Sequence, residues 1–133
     1  MTQQDDENGC DIISIYTRRQ ALADGLQHDV SKIASEAGLN CPTFITDGVL
    51  AQCVKIPPGV ECQDEAGRLW DVVWMMVVAI RRTQPQSDWL TYQLYVRDAN
   101  DGEPSLVTLK AVCGPLDFDD PQPAMTIMLP DED

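Results

Sequence analysis

A chain of 133 residues has the mass of one domain, which argues against a two-domain enzyme with a cleft between its halves. Hydrophobic and charged fractions of 44% and 23% are ordinary for a globular protein and argue against a disordered chain. The charge is unusual: 22 acidic against 9 basic side chains give -13 at pH 7, a field that repels phosphate, disfavours direct contact with DNA, RNA or an anionic membrane, and favours a basic partner.

Residues 1–10 are almost devoid of apolar side chains and read as a flexible acidic tail, leaving 11–133 as a single α+β domain. After the apolar run Ile12, Ile13, Ile15 and Tyr16, Thr17 and Gln20 have capping-box spacing, so a short helix is expected to run to Gly25. A second helix fits Asp29 to Ala37, with Val30, Ile33, Ala34 and Ala37 on one face and Gly38 as its stop. Thr46 and Asp47 offer a cap for a third over Val49 to Val54, which ends at Pro57-Pro58-Gly59. The strongest local signal spans Asp64 to Arg82, where acids stand at one end and arginines at the other, as a helix dipole prefers. Leu69, Val72, Val73, Met76, Val77 and Ile80 mark its buried stripe, and Trp70 and Trp74 read as core anchors; two strands within Leu69 to Ile80 are the competing reading. Gln84-Pro-Gln-Ser87 reads as a linker. From Trp89 the period becomes two, with Leu90, Tyr92, Leu94 and Val96 facing inward. A turn at Asn100-Asp101-Gly102, a strand over Leu106 to Cys113, a loop from Gly114 to Pro123 and a short strand over Thr126 to Leu129 complete the chain. The expected fold is α+β, with short N-terminal helices and a central helix packed on a small antiparallel C-terminal sheet.

Catalytic signals are sparse. The five cysteines, Cys10, Cys41, Cys53, Cys62 and Cys113, contain no CxxC pair, so zinc is not expected, and their odd number with a start lacking an apolar h-region points to the cytoplasm. The longest apolar stretch, Leu69 to Ile80, is too short to span a membrane. The single histidine, His28, could pair with Cys113 as base and nucleophile, but it reads more simply as a solvated or capping residue. No Walker loop, GxSxG or GxGxxG occurs, and no cofactor is expected. Glu61, Asp64 and Glu65 could form an acid/base pair, although the last two already serve a helix start. Asp117, Asp119 and Asp120 could offer oxygens to a cation, yet their loop lacks the glycine and closing glutamate of an EF-hand.

The acids cluster at Asp5-Asp6-Glu7, at Asp117, Asp119 and Asp120, and at Asp131, Glu132 and Asp133. Carboxylates spaced over a rigid surface can occupy a basic groove built for nucleic acid, so the last two clusters are the candidate partner-binding residues.

Four blocks carry a resemblance: Tyr16-Thr17-Arg18 with Ala21-Leu22-Ala23-Asp24-Gly25, Asp64 to Asp71, Leu106 to Gly114, and Thr126 to Asp133. From Asp11 onward the chain resembles a domain-of-unknown-function family of small acidic proteins found on bacterial plasmids, phages and other mobile elements. The resemblance implies an accessory protein of such an element and transfers no catalytic residue. The expected function is non-enzymatic binding to a basic host protein or nucleoprotein complex, inhibiting a nucleic-acid-handling defence system of CRISPR or restriction type. The alternative is a small enzyme or ligand-binding domain using the loop after Cys113.

Overall fold

In the computed structural model, residues 16–60, 64–83, 87–97 and 103–132 are described. The expected tail at 1–10, the Ile12 to Ile15 run, Glu61, most of the Gln84 to Ser87 linker, the turn at 100–102 and Asp133 lie outside them. The architecture is α+β, with helix α1 (Arg18–Ala23), strand β1 (Gln27–Asp29), α2 (Ser31–Glu36), β2 (Thr43–Thr46), a single turn α3 (Asp47–Val49) running into a π-helical turn (Leu50–Val54), α4 (Glu65–Thr83), β3 (Trp89–Val96), β4 (Ser105–Asp117) and β5 (Asp120–Met128).

The capping box forms as the sequence dictates: Thr17 Oγ1 accepts the Gln20 N–H and Gln20 Oε1 accepts the Thr17 N–H. Gly25 and Gly38 close the first two helices at φ +75° and +101°, conformations that disfavour a side chain. Asp29 ends β1 instead of starting α2, and its Oδ1 accepts the Ser31 N–H. Thr46 caps α3 through the Val49 N–H. The central helix is continuous, which excludes the two-strand reading, and its dipole is complemented by Glu65 at the start and Arg81 and Arg82 at the end.

The sheet is larger than expected. Its order is β1-β2-β5-β4-β3, with β2 and β5 parallel and the other pairs antiparallel. The two N-terminal strands escaped sequence reading because β1 is only three residues long, while β2 is buried at every position and shows no alternation. Gly114 to Pro123 is also no loop: β4 and β5 continue as a hairpin, Pro115 opposite Pro123, to a turn at Asp117–Asp120. Prolines are tolerated there because β5 meets β2 only from Met125 onward, so that among the described residues the start of β5 forms an edge.

Alternation assigns the two faces. One row across the sheet, Leu90, Ala111, Ile127, Ile45 and His28, faces α2 and α4, and the core gathers there with Val72, Val73, Met76 and Val77. The adjacent row, Trp89, Val112, Thr126, Phe44 and Asp29, faces the other way, and α1 covers only its Phe44 end. Met76 is fully buried, whereas Leu69, Trp74 and Ile80 pack at the margin of the core and Trp70 is exposed. Trp70 and Trp74 stack on each other at 5.9 Å between centroids. Buried Arg68 on α4 donates from Nε to the Cys53 carbonyl, tying the central helix to the end of the π turn.

Candidate functional site

A cleft of about 520 Å³ opens where α1, the start of α2, β2 and the β4–β5 hairpin meet. Leu22, Pro42, Phe44 and Leu116 form its apolar lining, and Asp29, Asp117, Asp119 and Asp120 supply carboxylates. A register shift between Pro115 and Asp117 breaks the hairpin ladder beside the cleft, a bulge that re-aims the acidic turn.

Two arginines line the same cleft, and both are engaged within the fold. The Arg18 guanidinium lies 4.2 Å over the Phe44 ring and donates to Leu116 O, Gln27 Oε1 and Thr126 Oγ1. Burial draws its pKa down, and the neighbouring Asp117 charge opposes that. Arg19 makes a two-point contact with Asp119 at 3.2 Å for each nitrogen, which raises the arginine's pKa and lowers the carboxyl's.

The three acids predicted from this segment therefore have different roles. Asp117 is buried: Oδ1 accepts the Arg18 and Phe118 N–H groups, and Oδ2 accepts the Arg19 N–H. Burial pushes its carboxyl up, but those three backbone bonds and the Arg19 charge outweigh it, so the pKa sits below the ordinary carboxylate value. It locks the start of α1 to the hairpin. Asp119 is exposed and paired with Arg19, and Asp120 accepts the Gln122 N–H through one oxygen. Asp29 was not foreseen here because sequence reading placed it on a helix; it uses Oδ1 on Ser31 and completes the acidic rim.

Asp131 and Glu132 do not join this cleft. They follow the far end of β5, where Glu132 Oε1 accepts from Thr46 Oγ1 and the Leu129 N–H, and Lys110 Nζ donates to the Glu132 carbonyl. Glu132 is thus a fastening for the C-terminal turn, while Asp131 is exposed.

The catalytic pairing of His28 with Cys113 does not form. Those residues sit on β1 and β4, three strand spacings or roughly 14 Å apart across the sheet. His28 Nε2 instead meets Asp47 Oδ1 at 3.0 Å. The Cys41 thiol is pushed up, first by burial and then by nearby Cys113, the opposite of an activated nucleophile. Among the described residues no group of three potential metal ligands converges, and no helix is long and apolar enough to cross a membrane. No family model, curated protein or solved structure compared with the chain gives a match.

Proposed function

We propose that the protein works by binding a basic protein surface, and that the cleft beside α1 receives a lysine or arginine side chain of the partner. The observation that carries this reading is the combination of an apolar floor at Leu22, Pro42 and Phe44 with carboxylates at Asp29 and Asp120, each of which accepts a backbone N–H through one oxygen. Long basic side chains bury their methylene stems on apolar surface and keep the charged head at a polar rim. Arg18 and Arg19 do not reverse the sign of the site, because four carboxylates against two guanidinium groups line the same opening and Asp119 answers the charge of Arg19. The net charge of -13 adds steering toward a basic partner at long range.

Together with the sequence resemblance to acidic proteins of mobile elements, this supports an accessory protein that occupies a basic surface of a host nucleic-acid-handling defence complex. Carboxylates held by a hairpin and a capped helix can replace phosphates in such a groove without the entropic cost of ordering a tail. Asp131, exposed beyond the end of β5, extends the acidic surface in this reading.

The test is a titration followed by amide chemical shifts, with arginine-rich and lysine-rich peptides as probes and an acidic peptide as control. Shifts confined to α1, the β1–α2 junction and the β4–β5 hairpin, and reduced at least tenfold in apparent affinity by Asp29→Asn with Asp120→Asn, are expected. Uniform shifts over every acidic side chain, unchanged by that pair of substitutions, would leave the acidity as a solubility feature. The validated pair then serves as the negative control for capture from a bacterial lysate.

A further inference from the structure

The edge of the sheet opposite β1 is formed by β3. β3 ends the sheet order, and among the described residues it pairs with β4 alone. The Cys113 N–H donates to the Asp88 carbonyl, so the backbone groups of the even-numbered residues, through Val96, face β4. Those of Trp89, Thr91, Gln93 and Tyr95 point outward.

Among the described residues, this edge lacks the devices that normally protect one. The strand Trp-Leu-Thr-Tyr-Gln-Leu-Tyr-Val has no proline, no glycine and no charge, and its ladder with β4 shows no bulge. Beside the edge, on the sheet face that α1 leaves uncovered, Trp89, Tyr95 and Leu106 are 55%, 68% and 52% exposed. An uninterrupted uncharged edge with large apolar side chains at both ends stands out in a chain that is otherwise strongly acidic.

We infer that β3 docks against β3 of a second copy of this chain, antiparallel about a two-fold axis at Tyr92. The occupant follows from self-complementarity. This register pairs the outward backbone groups of Trp89 with those of Tyr95 in the other copy, and of Thr91 with those of Gln93, so every outward group within the strand is satisfied. Leu106 already lies opposite Tyr95, and Val112 opposite Trp89, within each copy. The seam therefore builds a continuous apolar row, Leu106, Tyr95, then Trp89 and Val112 of the second copy, and symmetry builds it twice. Aromatic pairs directly opposite each other are favourable cross-strand neighbours.

The repulsion between two chains of charge -13 opposes association, and salt screens it. Self-association therefore tightens as salt rises, opposite to the salt response of a basic partner in the cleft, which keeps the two surfaces separable.

Sedimentation of the full chain from about 1 to 100 µM, at about 0.05 and 0.3 M salt, tests the inference, with amide exchange read in the same samples. A species of twice the 14.8 kDa chain mass is expected at the higher concentrations, with the Trp89, Thr91, Gln93 and Tyr95 amides exchanging at least tenfold more slowly than in dilute samples. Thr91→Pro removes an outward N–H without touching the β4 ladder, and Tyr95→Lys places charge in the apolar row. Each is expected to weaken the dimer at least tenfold while keeping the monomer's circular dichroism and melting temperature. A monomer at every concentration, a dimer in which those four amides stay open, or a dimer unaffected by Tyr95→Lys and by a folded Thr91→Pro would overturn it.

Discussion

Asp117 shows how a residue's place in the fold changes what its charge is for. A loop carboxylate on an acidic protein reads as a surface charge, whereas here it holds three backbone N–H groups and joins α1 to the β4–β5 hairpin across about a hundred residues of sequence. Its folded pKa lies below the ordinary 3.8, so its stabilising contribution is fully present above that value and is lost as pH falls through the depressed one. Asp117→Asn is expected to lower the melting temperature at pH 7 and to flatten the acid limb of a melting-temperature profile between pH 2.5 and 7. An unchanged profile would mean that the hairpin does not depend on this cap. Tyr92 has the opposite sign. Burial foremost, then the neighbouring Cys53, pushes its phenol well above 10, and its hydroxyl donates to the Val72 carbonyl at 2.8 Å. Its contribution is full below the unfolded value near 10 and is lost as pH rises past it toward the higher folded value. Tyr92→Phe is expected to cost about 1 kcal/mol at neutral pH and to weaken the alkaline loss of stability, both measurable by denaturant titration.

At the scale of elements, α4 was legible because two independent signals coincide in its residues: an apolar stripe at helical spacing and charges matched to the dipole. What the stripe could not rank was depth. Met76 is fully buried while Trp74 keeps part of its ring in contact with solvent, stacked on exposed Trp70. Met76→Ala is therefore expected to cost about 3 kcal/mol, and Trp74→Ala clearly less than Met76→Ala, in urea unfolding. Equal losses would place Trp74 deeper than its packing indicates. The hairpin was illegible for a different reason. Gly114, Pro115, Pro121 and Pro123 are turn formers by type, and prolines can sit in β5 because, among the described residues, its first half pairs with β4 on one side and has no neighbour on the other.

For the whole molecule, charge acts in two ways that ionic strength separates. Binding of a basic peptide in the cleft is expected to weaken by an order of magnitude or more between about 50 and 300 mM salt, as the Debye length falls from roughly 14 to 6 Å, while the β3–β3 association tightens. Calorimetry at the two salts checks the first, and a salt-independent affinity would assign the cleft to apolar recognition. The sequence by itself determined the α+β class, the cap and stop of α1, the central helix, the alternating strand β3 and the excess of acid, because each is written in neighbouring residues or in composition. Tertiary structure alone decided that β2 runs parallel to β5 at the middle of the sheet, that Asp29 joins Asp119 and Asp120 at one cleft, and that Asp117 is buried. Those outcomes depend on contacts between residues far apart in the chain, whose closure is set by which apolar faces can be covered together and leaves no local period to read.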